Sequence, residues 1–146
     1  MKALGSLLLG VVLAYACPKT GTQDVSVVKS ADVKWVDAKN MPAGVKSALI
    51  HGDPAKGSFV LLMKAPAGTL FKPHTHSADE VVFLQSGEAL ISASATVDES
   101  KAQTVDAGGY FSLKAKTPHW AKAKTEIVFL RYGNGPADVT YLDEKK

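Results

Sequence analysis

Beyond residue 35 the apolar positions never sustain a 3.6-residue period. They come as short runs or alternate with polar residues, at 57–64, 80–85, 89–95, 110–113, 127–132 and 139–142. Segments of that length and pattern predict strands rather than helices. Turn formers separate them: Gly-Asp-Pro at 52–54, Pro-Ala-Gly at 66–68, Ser-Gly at 86–87, Gly-Gly at 108–109 and Gly-Asn-Gly-Pro at 133–136. Many short strands within about 110 residues mean an all-β sandwich or small barrel. No internal repeat or low-complexity stretch interrupts the pattern. The segment 127–132 is apolar on both faces, as expected of a strand buried between sheets or against a second subunit, so a homodimer is open.

Composition narrows the class. A chain of 146 residues, 46% hydrophobic and 21% charged, builds one core and reads as a single domain. The net charge of +3 comes from 17 basic against 14 acidic residues, spread along the chain, with Arg131 the one arginine. Nucleic-acid binding calls for clustered basic residues and arginine forks, so no nucleic-acid partner is expected.

The first sixteen residues, MKALGSLLLGVVLAYA, have the charged start, apolar run and small-residue end of a secretory signal peptide. The apolar run is too short to span a bilayer as a helix. The single cysteine, Cys17, follows directly, and "LAYAC" loosely resembles the lipidation motif of a bacterial lipoprotein. Two outcomes are open: cleavage after Ala16 to give a soluble exported protein, or lipidation of Cys17. Lipidation is the preferred one, because a lone cysteine there has no other evident role in an oxidising compartment. The protein is thus expected in the periplasm or cell envelope, touching the membrane only through that anchor. Residues 17–34 are polar and aperiodic and read as a tether, with the folded domain over 35–143.

The chemistry concentrates in GTLFKPHTHSADEVVFLQSGE, residues 68–88. His74, His76 and Glu80 share parity, so in an extended strand all three would face one side, continued by Val82 and Leu84. Imidazoles and a carboxylate converging among apolar residues suit a divalent first-row transition metal. A fourth ligand must come from elsewhere. The chain holds four histidines, and His119 in "TPHWAKA" is the best supplier, leaving only His51 in the turn "HGDP".

Here the chain resembles the cupin superfamily. Gly68, His74, His76, Glu80 and Gly87 match the spacing of the first cupin motif, and Gly108 and His119 that of the second. The likeness extends from about residue 35 to 142, and the pattern with "GDPAKG", "PAGT" and the ending "GNGP…Y" also resembles exported single-domain cupins related to the metal-binding cupin half of ChrR-type anti-sigma factors. It departs from the second motif at Lys114 and Lys116, where cupins carry a proline and a glycine, and at Ala123 in place of asparagine. The resemblance implies a small antiparallel jelly-roll barrel with His74, His76, Glu80 and His119 around a central metal.

Other residues carry less. Lys114, Lys116, Lys122 and Lys124 bracket His119 but are opposite to it in phase, so they read as a solvated face rather than a cationic mouth. Arg131, in "IVFLRYG", must reach solvent or find a partner, and as a barrel residue its planar fork would clamp a substrate carboxylate. Trp35 and Trp120 read as packing residues.

Three imidazoles and one carboxylate leave a six-coordinate metal two open positions. Two functions follow. One is an oxygenase or isomerase of a small oxygen-rich compound, with Glu80 as ligand or proton acceptor; the other is a non-enzymatic metal or small-ligand binding or sensing module. Iron, manganese, nickel, zinc and copper all accept such ligands, and the sequence does not choose among them.

Overall fold

The structure is a computed structural model that describes residues 25–142. The expected signal peptide, Cys17, the first part of the tether and residue 143 lie outside the described residues. Eleven strands follow in chain order: β1 (Val36–Asp37), β2 (Lys46–Gly52), β3 (Ser58–Ala65), β4 (Leu70–Thr75), β5 (Glu80–Ser86), β6 (Glu88–Ser92), β7 (Gln103–Asp106), β8 (Tyr110–Leu113), β9 (His119–Ala123), β10 (Ile127–Asn134) and β11 (Thr140–Tyr141). Two single-turn 3-10 helices are the only helical elements among the described residues, and none of their length crosses a membrane.

All pairings are antiparallel and fall into two sheets. One runs β1-β2-β3-β10-β5-β8, the other β11-β4-β9-β6-β7. Successive strands switch sheets, as β4 and β5 do, and this crossing rolls the chain into the expected all-β jelly-roll barrel. Inward positions alternate along β3, β5 and β10, and Met63, Val82, Leu84, Ile127 and Phe129 fill the space between the sheets with Phe71 from β4. The Phe71 and Phe129 rings meet edge to face at 6.2 Å, the arrangement aromatic quadrupoles prefer.

The motif glycine before β6 has a steric reason. Gly87 has φ +84°, and a Cβ there would collide with the carbonyl oxygen of Glu126. Only glycine combines that left-handed turn with so close a backbone approach.

Candidate metal centre

His74, next to last in β4, pairs in register with His119 at the start of β9. That register sets two imidazoles side by side, their centroids 4.1 Å apart. The expectation of one extended strand through His74, His76 and Glu80 is corrected here. β4 stops at Thr75, residues 76–79 cross between the sheets, and Glu80 opens β5. A register irregularity between Phe71 and His74 leaves the neighbours Pro73 and His74 both buried, so strict parity already fails inside β4. The residues converge because the turn brings two sheets together.

The turn is tied down. Lys116 N donates to His76 O at 2.8 Å, Ser77 N to Asp138 Oδ1 at 3.0 Å, and Ala115 N and Lys114 Nζ to the two oxygens of Asp79. Lys116, where the cupin pattern has glycine, keeps a glycine-like φ of +63°. The loop conformation thus survives the departure in sequence.

Each histidine is oriented by a backbone carbonyl. Nδ1 of His74 lies 2.6 Å from Lys72 O, that of His76 2.5 Å from Asp138 O, and that of His119 3.0 Å from Thr117 O. A carbonyl only accepts, so the network assigns the proton to Nδ1 of His74 and His119, whereas Nδ1 of His76 faces both the Asp138 carbonyl and the Arg131 guanidinium. The bare Nε2 atoms of His74 and His119 are left for a metal, the arrangement metal-binding histidines favour. His74, His76 and His119 are all buried, with ligand atoms within 4.8 Å of one another, and form a group able to hold a metal ion.

Glu80 borders this group. Its Oε2 lies 3.3 Å from His76 Nε2 and 3.7 Å from His119 Nε2. Those separations set the carboxylate beside the three histidines, which among the described residues form the group able to hold a metal. Its Oε1 faces Arg131 Nε at 2.5 Å, an ion pair that lacks the alignment of a hydrogen bond. Arg131 points inward from β10, its guanidinium also 3.1 Å from His76 Nδ1 and 3.5 Å from Asp138 O.

Burial shapes the charges. It would raise the Glu80 carboxyl, but the His76 contact and the Arg131 charge outweigh it and hold the carboxyl down at about 2. Burial, then the neighbouring His119, lowers His74 to about 4, and burial lowers His119 as well. At neutral pH His74 and His119 are thus neutral beside an ionised carboxylate, the protonation a metal needs of them.

The donors open on a cavity of about 60 Å³ whose remaining wall is apolar, Phe111, Phe129 and Met63 among its residues. Met41 lines both this cavity and an outer groove that includes Asn40 and Tyr141. The Tyr141 ring sits 5.7 Å from His74, and its hydroxyl donates to Asn40 O at 2.9 Å. Sequence reasoning missed Met41, Asp138 and Tyr141. Asp138 acts through its main-chain oxygen, which no residue type announces.

The remaining candidates lie elsewhere. His51 is exposed on β2. Lys114, Lys122 and Lys124 form surface ion pairs with Asp79, Glu99 and Glu88, and Lys116 is exposed, so no cationic mouth surrounds His119. Trp120 is fully buried but faces away from the cavity, and Trp35 is half-buried beneath Lys64.

The ChrR cupin-like domain family matches residues 23–136. The chain belongs to that family. Solved structures agree on the cupin fold. A putative acetylacetone dioxygenase from Methylibium petroleiphilum PM1 is 23% identical, with a TM-score of 0.63 over 84% of this chain and 83% of that one. An acetylacetone dioxygenase from Acinetobacter johnsonii is 21% identical, with a TM-score of 0.65 over 88% of this chain and 84% of that one. The polyketide cyclase RemF from Streptomyces resistomycificus is 15% identical, with a TM-score of 0.67 over 84% of this chain and 89% of that one. No curated protein matches the chain. At these identities the likeness establishes the cupin fold alone.

Proposed function

We propose that this cupin binds a divalent first-row transition metal through His74, His76, His119 and Glu80, and acts with it on a small oxygen-rich compound as an oxygenase or isomerase. The observation that carries the reading is the convergence of three buried histidines, each with a backbone carbonyl at its Nδ1, beside a carboxylate whose far oxygen is held by Arg131.

Such a metal, when bound, polarises a carbonyl or enol oxygen, and iron, copper or nickel can also activate dioxygen. The protein's residues supply the rest. A proton acceptor works best with a pKa near the operating pH, and Glu80 at about 2 is far below it. That favours Glu80 as ligand over Glu80 as base. The apolar wall excludes water and accepts the carbon skeleton of a compound whose oxygen atoms face the metal. Arg131 is committed to Glu80, so its role is to hold that carboxylate rather than to clamp a substrate. The names of the structurally similar dioxygenases and cyclase denote chemistry on carbonyl compounds, which supports the same class. The N-terminal signal and Cys17 support export and a lipid anchor; loss of label from a palmitate analogue in Cys17→Ser tests that part.

Non-enzymatic sensing at the envelope is the second reading. It is favoured by the bond from His76 to Asp138, which ties the centre to the C-terminal segment, so that occupancy can alter that segment. Metal analysis by mass spectrometry on wild type, His74→Ala and His119→Ala tests the site. About one metal per chain, lost in both variants, is expected. Dioxygen consumption or isomerisation across a panel of β-dicarbonyl and enol compounds then separates enzyme from sensor. Absence of metal after reconstitution with all five candidate ions ends both readings.

A further inference from the structure

The barrel has a seam on the flank where one sheet ends in β1 and the other in β11. β11 pairs with β4 at His74 and Thr75, and before His74 no strand flanks β4 on that side among the described residues. The connection between β1 and β2 crosses there instead. Tyr141 Oη donates to Asn40 O across the seam, and the next residue, Met41, is half-buried and packs against the core. Of all the lining residues, only Met41 borders both the cavity beside the histidines and the outer groove.

The two spaces differ in size and lining. The inner cavity measures about 60 Å³. At about 10–15 Å³ for each water-sized group, it takes roughly four to six of them. That is room for a head of two oxygens on three carbons, bound at the two open metal positions, and for no long substituent. Inward from the histidines the wall is packed core, Met63 and Phe129 among it, and close-packed interiors do not part for a chain. A longer substituent therefore has to leave on the seam side. The outer groove there measures about 500 Å³, and Met41, Pro42, Leu70 and Val139 give it an apolar lining with Lys72 as its one charged residue.

We propose that the outer groove holds an apolar tail of the substrate whose two-oxygen head sits at the metal, with Met41 swung aside to join the two spaces. The substrate class is thereby narrowed to compounds with a chelating head and an alkyl or acyl chain. The proposal rests on the reading of the centre as a metal site for oxygen-bearing compounds. Methionine suits the partition, because its unbranched side chain with three rotatable bonds adapts where a branched one would not. The backbone around it stays in place: Ala38 N donates to Val45 O and Val45 N to Pro42 O, which fixes the connection at its base.

Calorimetric titration of the zinc-loaded full chain tests the proposal, since zinc brings no redox turnover. The probes are a five-carbon β-diketone and its homologue with a pentyl group in place of one terminal methyl. Each fully buried methylene favours binding about fourfold, so the homologue should bind at least about tenfold tighter. Val139→Asp and Leu70→Gln should each lower that ratio at least about fivefold, with metal content and circular dichroism verifying the fold. A diazirine at the end of the pentyl tail should label the peptides that carry Pro42, Leu70 or Val139. Equal affinities, a ratio indifferent to both substitutions, or label on Met63 or Phe111 overturns the proposal. Tighter binding of a homologue whose tail ends in a carboxylate overturns the apolar assignment in favour of a tail directed at Lys72. Failure of both diketones to bind overturns the chelating head as well, and with it the reading of the centre; a head that binds without gain from the tail overturns the groove alone.

Discussion

Arg131 Nε and Glu80 Oε1 stand 2.5 Å apart inside the barrel, on the adjacent strands β10 and β5. Both residues are buried, at 5% and 7% exposure. Removing one partner of such a pair costs about 3–5 kcal/mol, because the other charge is left without compensation. Arg131→Met should therefore lower the stability of the metal-free protein by that order at pH 7 in urea unfolding. The double variant Arg131→Met/Glu80→Gln should recover part of the loss, since no charge remains unpaired. A single-variant loss below about 1 kcal/mol would mean that water screens the pair.

Two of the lowered groups, His74 and Glu80, give acid sensitivity in separate windows. His74 titrates near 6.5 in the unfolded chain and about 4 when folded. Between those values the unfolded chain binds more protons, so stability falls as pH drops from about 6.5 toward 4. Glu80 is ionised above 4.5 in both states, and its contribution is lost as pH falls from 4.5 toward about 2. The urea midpoint of the metal-free protein should thus decline below pH 6.5, with a shallower decline in His74→Gln. An unchanged slope in that variant would place the protonation elsewhere.

Much of this was legible in the sequence, for uneven reasons. β5, β8 and β10 have inward residues at every second position, and the pattern of 80–85, 110–113 and 127–132 located them. β2 escaped because KSALIHG bends through a register shift between Leu49 and His51, which breaks alternation. β4 escaped because LFKPHT contains Pro73 and buries consecutive residues. The ligand spacing identified the site although one strand was expected and two were found; the spacing encodes the whole strand, turn and strand. The Glu80 to Arg131 pair had no local signature, because it depends on how β5 registers against β10.

Tyr141 and Asn40 form a latch beside the centre. The hydroxyl of Tyr141 donates to Asn40 O at 2.9 Å, while its ring covers His74 and Met41 separates the groove from the cavity. Losing one hydrogen bond of about 1 kcal/mol favours local opening roughly fivefold. Tyr141→Phe should therefore release metal to a chelator about fivefold faster, with equilibrium metal content little changed. Met41→Ala should act in the same direction by opening the wall. Release rates equal to wild type in both variants would route the metal through another side of the barrel.

Trp120 decides between packing and polarity. It is fully buried next to His119, yet its Nε1 has no hydrogen-bond partner among the described residues. An unsatisfied buried donor costs about 1–3 kcal/mol. Trp120→Phe removes that donor and leaves a gap of about 40 Å³, which at about 24 cal/mol per Å³ costs about 1 kcal/mol, with a further loss from the missing apolar atoms. The terms nearly cancel, so Trp120→Phe should change stability by no more than about 1 kcal/mol and retain metal. Trp120→Ala should cost about 3–5 kcal/mol and weaken metal binding, because the strand that presents His119 loses its outer support. A loss above about 2 kcal/mol in Trp120→Phe would show that Nε1 is satisfied in the folded protein, by water or by a segment beyond residues 25–142.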